Sequence, residues 1–188
     1  MEHYRAKALA EDVAALADAL SPGEPFVLAG HDWGASVAYA YAFTYPERLS
    51  HLVIANGVHP ACFQRALFED DAQREASRYF HYLISPKAEQ GLSEDNYRRL
   101  MQMLASFSDT SWLDEAEAAA YRAAWSEPGA LTAMLNWYRA SPMIVPEAGA
   151  PVPAGRSVLD LPVEVMTVAM PHLVLWGEAD IALRPSCL

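Results

Sequence analysis

Cysteine is nearly missing from the chain. Cys62 and Cys187 are the only two, no CxxC occurs, and no Cys/His cluster has metal-ligand spacing, so neither a disulfide framework nor a zinc site is supported and a reducing compartment fits. Positive charge is scarce as well. Thirteen Lys and Arg against 24 Asp and Glu give a formal net charge of -11, which repels phosphate backbones and anionic lipid and makes nucleic acid and membrane surfaces poor partners. No segment is long and apolar enough to span a bilayer, and Glu2, Arg5, Lys7, Glu11 and Asp12 break up any signal-peptide core in the first twenty residues. A cytoplasmic location is expected. Nothing repeats at a fixed period, and no low-complexity tail is present.

What the chain has is apolar material, 53% of its 188 residues, enough for a substantial core. Its most informative stretch is Phe26-Val27-Leu28-Ala29-Gly30-His31-Asp32-Trp33-Gly34-Ala35. Four apolar residues run into Gly-x-Asp-x-Gly and then an Ala-rich segment, which predicts a short buried strand, a sharp turn with Asp32 at its apex, and a helix. Glycines at 30 and 34 are expected to remove side chains that would collide where strand and helix pass, leaving Asp32 strained and exposed at the carboxyl end of a sheet. An Asp here also suits a polar turn or a helix N-cap.

Upstream, Leu9, Val13, Leu16 and Leu20 fall on one face of a helix over 4–20. Downstream, a small-residue helix from Ala35 to Tyr45 is stopped by Pro46. Leu52-Val53-Ile54-Ala55 is a second unbroken apolar run. Strand, helix and strand then make a right-handed βαβ unit with parallel strands, both faces covered because neither run alternates. From Ala61 to Ala140 the pattern is helical, with breaks near Ser85-Pro86, Gly91, Ser108-Asp109 and Pro128-Gly129. Ser93 with Glu94 and Asp95 reads as a helix start, and Leu100, Met103 and Leu104 as its buried stripe. Prolines 142, 146, 151, 153 and 162 impose an extended return before a third strand, Pro171 to Trp176, which delivers Gly177-Glu178-Ala179-Asp180 to its carboxyl end. The predicted class is α/β, with a core segment over 1–57, a helical insertion over 58–141, and a return loop plus core strand over 142–188.

Ligands of open α/β sheets bind at the carboxyl ends of the strands, where Asp32, Asn56 and Asp180 would all emerge. Gly30-His31-Asp32-Trp33-Gly34 resembles the nucleophile elbow of the α/β-hydrolase fold in its aspartate version, the epoxide-hydrolase form in particular, with a related form in haloalkane dehalogenases. The resemblance implies a partial α/β-hydrolase fold, parallel central strands flanked by helices with an inserted helical cap. It also implies that Asp32 attacks an electrophilic carbon and leaves an alkyl ester, which an activated water hydrolyses. The segment from Leu173 to Asp180 resembles the one that supplies the acid orienting the family's catalytic histidine. Asp180 is the matching position, with Glu178 its competitor by chemistry, and Asn56 argues against an acid after the second strand.

Asn136-Trp137-Tyr138-Arg139 resembles the cap segment whose tyrosine points its hydroxyl into the family's pocket. In Ser77-Arg78-Tyr79-Phe80-His81-Tyr82, Tyr79 sits where a second cap tyrosine is expected, with Tyr82 as the other candidate. Two phenols aimed at one point can protonate an epoxide oxygen as the ring opens, which favours epoxides over alkyl halides. The Trp33 backbone amide suits an oxyanion hole and its indole a pocket wall. A small apolar epoxide-like substrate is implied, with no metal or organic cofactor. Tyr, Met and Trp on cap helices also read as packing, and His31, His59 and His81 as structural histidines.

The family's eight-stranded sheet is matched here by three central strands. Its His-Gly-x-Pro loop would lie upstream of Met1, and none of the six histidines follows Asp180. The chain is therefore expected to be truncated at both ends and crippled in turnover, with unpaired sheet edges open to self-association. Two alternatives stay open: a haloalkane or haloacid dehalogenase, and a non-catalytic module that binds an apolar ligand or a partner chain.

Overall fold

The apolar runs on either side of the elbow become strands, β1 over Phe26–His31 and β2 over Leu49–Ala55, paired in parallel from Phe26 opposite Leu49 to His31 opposite Ala55. Before them lies α1, Ala6–Leu20, and between them α2, Trp33–Thr44, whose small residues Ala35, Ala38 and Ala42 are buried against the sheet side of the unit. Strand β3, His172–Leu175, pairs in parallel with β2 from Leu52 opposite His172 to Ala55 opposite Leu175, so the order is β1-β2-β3. The computed structural model describes residues 1–107, 109–153 and 157–188. They form two units: Met1–Arg78 with Ala140–Leu188, and Tyr79–Arg139.

In the first unit, Ala10, Tyr39, Tyr41, Leu49, Leu52, Ile54 and Met170 form the core. The face of α1 that packs on it is Ala10, Val13, Ala14 and Ala17, not the leucine stripe; Leu16 and Leu20 point outward, 62% and 83% exposed. Alanines win because α1 lies along α2, itself built of small residues, and only short side chains let two helices approach closely. The expectation that both sheet faces are covered is likewise corrected. Burial alternates along β1, Val27 is 58% exposed, and all four residues of β3 are exposed. Continuous apolar runs state what a strand can bury, while β2, paired on both sides, is the strand this chain encloses best. Among the described residues β1 and β3 each pair only with β2. Helices α3, Pro60–Glu69, and α4, Asp71–Ala76, also belong to this unit, so the helical unit begins at Tyr79, where the sequence placed its start at 58.

The second unit holds α5, Tyr79–Leu83, α6, Ala88–Phe107, α7, Glu115–Ser126, and α8, Ala130–Arg139, around Leu83, Leu92, Leu100, Trp125 and Leu135. The breaks at Ser85-Pro86 and Pro128-Gly129 fall between helices; Ser108 lies outside the described residues. Gly91 breaks nothing. It sits inside α6, where a β-carbon would strike the Tyr82 hydroxyl. The interruption comes at Glu94–Tyr97 instead, so Ser93 does not start a helix: its hydroxyl donates back to the Gln90 carbonyl at 2.9 Å. Leu100 is buried as expected, with Met103 and Leu104 packed against the same cluster.

At that interruption Asp95, Asn96 and Tyr97 take φ of 50°, 55° and 61°, three successive left-handed residues without a glycine. Asp95 is held by an ion pair to Arg98 at 2.6 Å and Tyr97 by its ring against Trp125, whereas Asn96 is exposed. Replacing Asn96→Gly is expected to stabilise the chain by about 0.5–1 kcal/mol, the left-handed penalty relieved less the extra entropy that glycine gives the unfolded chain. A urea midpoint no higher than the parent's would contradict this account of the kink.

Candidate active site

One residue separates β1 from α2, so the chain must turn at Asp32, which takes φ 52° and ψ −123°. That conformation costs a residue with a β-carbon on the order of 1–3 kcal/mol and persists only where the surroundings hold it. Gly30 lets them do so. A β-carbon there would lie 2.6 Å from the Gly34 carbonyl oxygen and 2.8 Å from the Ala35 Cα. Gly34 does not share this function, since a β-carbon on it meets nothing within 4 Å. The second tight position is Gly57, after β2, where a β-carbon would strike that of Ala35.

The Asp32 carboxylate is exposed, and its Oδ2 accepts the Trp33 backbone N–H at 2.6 Å. An ordinary N-cap side chain reaches the amide two or three residues on; this one bonds the first amide of the helix. The distinction has chemical content. Were Oδ1 to attack carbon, Oδ2 would become the carbonyl oxygen of the ester, the atom that the Trp33 N–H bonds here. The amino-terminal end of α2 favours the same negative charge.

Asp180 follows β3 and is half-buried. Its Oδ2 accepts Asn56 Nδ2 at 2.7 Å, and its Oδ1 accepts the Ala182 and Leu183 amides at 2.8 and 2.9 Å. Asn56, at φ 36° just past β2, also accepts the Gly177 amide on Oδ1 at 2.9 Å. Its side chain therefore ties the ends of β2 and β3 together and fixes the loop between Gly177 and Asp180. Glu178 is exposed and enters none of these bonds. The segment beyond is held by a residue that carries no signal in the sequence. Gln73 on α4, fully buried, donates to the Ser77 hydroxyl at 2.9 Å and the Ala182 carbonyl at 2.8 Å. It accepts from the Arg184 amide at 2.8 Å and the Cys187 thiol at 3.1 Å, which fills its hydrogen-bonding capacity. Polar residues inside short helices carry no periodic signal, so Gln73 emerges only once its partners are in place.

In the second unit the rings of Tyr79 and Tyr138 meet edge to face, centroids 6.0 Å apart and planes at 79°, with Phe80 5.0 Å from Tyr138. Both tyrosines are half-buried. Tyr82 is used differently, because its hydroxyl accepts Arg99 Nη1 at 2.8 Å beside Gly91. The structure thus pairs Tyr79, not Tyr82, with Tyr138.

A family model described as alpha/beta hydrolase fold matches residues 2–186. The chain belongs to that family. Among curated relatives, this α/β-hydrolase chain is 34% identical over 141 residues to the AB hydrolase superfamily protein YfhM of Bacillus subtilis, covering 74% of the chain and 49% of the relative. It is 28% identical over 185 residues to epoxide hydrolase 4 of Mus musculus, covering 95% and 47%. Among solved structures it resembles one of the novel epoxide hydrolases from metagenomes of hot environments, at 34% identity and TM-score 0.82, covering 99% of the chain and 62% of that structure. The Bacillus megaterium epoxide hydrolase in complex with an inhibitor follows at 27% identity and TM-score 0.81, covering 100% and 63%. The α/β-hydrolase chain therefore spans about half the length of the curated relatives it matches. Among its described residues no group of His, Cys, Asp and Glu could hold a metal ion, and no helix is long and apolar enough to cross a membrane.

Proposed function

We propose that the chain carries the nucleophile, acid and proton donors of an epoxide hydrolase, opening an epoxide to a diol through an alkyl ester on Asp32. The observation that supports this most is the Asp32 elbow, a solvent-reaching carboxylate whose second oxygen is already hydrogen-bonded by Trp33. Oδ1 attacks the less hindered epoxide carbon, the C–O bond breaks, and Tyr79 and Tyr138 deliver a proton to the departing oxygen. In this reading Asp180, held by Asn56, orients the histidine that activates water in the second step. Within these 188 residues no histidine follows Asp180. A sample of these 188 residues alone offers the second step no such histidine, and removing one member of a coupled catalytic set costs on the order of 10⁴–10⁶ in rate, so in that sample the ester is expected to accumulate. The paired phenols favour an epoxide over an alkyl halide, whose leaving group needs no proton.

Intact-mass measurement after exposure to a reactive aryl epoxide tests this. A single increment of one epoxide mass, mapped to Asp32 and lost in Asp32→Asn, is the expected result. An increment that survives Asp32→Asn, or binding without any adduct, rules the covalent reading out; binding alone would favour a non-catalytic module.

A further inference from the structure

Tyr39 on α2 is 2% exposed, and two imidazoles stand edge-on to its ring. His172, the first residue of β3, has its centroid 5.5 Å away at 82°, and His59, just before α3, lies 5.3 Å away at 78°. The Tyr39 hydroxyl is 3.3 Å from His172 Nε2. His59 is committed at both nitrogens, with Nδ1 3.2 Å from the Ala61 N–H and Nε2 2.8 Å from the Met166 carbonyl oxygen. An amide N–H can only donate and a carbonyl oxygen can only accept. The form that satisfies both is the neutral ring carrying its proton on Nε2. A second proton on Nδ1 would set N–H against N–H and undo the cap on α3.

These contacts join elements that matter. Met166 and His172 bracket the segment leading into the strand that precedes Asp180, while Tyr39 sits on the helix that begins beside Asp32. We propose that Tyr39, His59 and His172 form an acid-released clasp, holding the segment 166–175 against α2 and α3 at neutral pH and loosening it when the His172 imidazole is protonated. Solvent reaches His172, so a proton can arrive there. Burial, and next the neighbouring His59, hold its imidazole below the ordinary value of 6.5. The released segment consequently binds the proton more tightly than the clasped one. The clasp is complete above about pH 6.5 and weakens as pH falls below it. Once charged, His172 can only donate from Nε2, so the Tyr39 hydroxyl must accept there and its own proton needs another acceptor inside the core.

Burial, and next the Cys62 thiol, push Tyr39 up to about 12. The ring partners are a phenol, an amide and a carbonyl oxygen, with no carboxylate among them in the described residues. The elements packed around the clasp carry His51 on β2, Arg65 and Glu69 on α3, Asp160 in the turn Val158–Asp160, and Glu164 in the turn Val163–Met166. Of these, Asp160 accepts the Ser157 amide.

Hydrogen exchange of the whole chain at pH 7.5, 6.5 and 5.5, corrected for intrinsic rates, tests the clasp without reference to epoxide chemistry. Peptides covering 166–175 are expected to exchange faster at pH 5.5 than at pH 7.5, by up to about tenfold, the ceiling for one imidazole whose free value is 6.5. In His59→Asn with His172→Gln the response should vanish, because Asn is a good N-cap and Gln can still meet the Tyr39 hydroxyl without titrating. Equal protection of the parent at both pH values, or a response retained in the double variant, overturns the proposal. Should that variant fail to fold, imidazole NMR of the parent decides. His172 titrating below 6.5 in step with amide shifts in 166–175 supports the clasp, and titration at or above 6.5 removes it.

Discussion

Tyr79→Phe combined with Tyr138→Phe is expected to slow alkylation of Asp32 by an epoxide by about 10²–10⁴-fold, the range for removing general acid assistance from a reacting group. The same variant should react with an alkyl iodide at nearly the parent rate, since iodide departs without a proton. Phenylalanine keeps the ring that packs against Phe80 and Phe107, so the change removes two hydroxyl groups and little packing. Each single variant should cost less than half of the combined effect on a logarithmic scale, because one phenol can still protonate the leaving oxygen when the other is gone. Tyr82→Phe is the control. Its hydroxyl serves Arg99, and its loss should leave the labelling rate where it was. The rates are read as growth of the intact-mass increment. Equal slowing with epoxide and iodide would mean that the tyrosines shape the pocket and supply no proton.

The elbow was legible because its chemistry is local: a strand, a turn that needs glycine and a helix follow one another within ten residues, and Asp32 occupies the apex that pattern predicts. Pairing of the three strands was equally plain from unbroken apolar runs. What the sequence concealed depends on partners far along the chain. The face of α1 was misjudged since leucines dominate a helical count, yet the neighbour it meets, α2, admits only alanines and valine. Asn56 stood out as a strand-end residue, but its grip on both Asp180 and Gly177 spans more than a hundred positions. Gln73 and the His59, Tyr39 and His172 cluster escaped for the same reason, and Gly34 was credited with a collision that belongs to Gly57. Short-range geometry is written in short-range pattern; hydrogen-bond closure across α/β crossovers is not.

Gly30→Ala should be far more damaging than Gly34→Ala, although both glycines belong to the same five-residue motif. At position 30 the new methyl would meet the Gly34 oxygen at 2.6 Å, the Ala35 Cα at 2.8 Å and the Ala35 nitrogen at 2.9 Å, all backbone atoms. A side chain could rotate aside, but here α2 itself must move off β1. Overpacking ordinarily costs about 1–3 kcal/mol, and the shift falls on the element that holds Asp32 at φ 52°. The expected loss is therefore at the upper end, about 3 kcal/mol, with relief of the elbow as a further consequence. At position 34 the methyl enters open space in the first turn of α2, where alanine is favoured over glycine by about 0.5–1 kcal/mol. Urea midpoints give the two stabilities, and labelling rates measured on the folded fraction give the state of the elbow. Gly30→Ala should lose labelling beyond what its unfolded fraction explains, whereas Gly34→Ala should keep it. If the two substitutions cost the same, the tight crossing of strand and helix is not what holds the carboxylate in place.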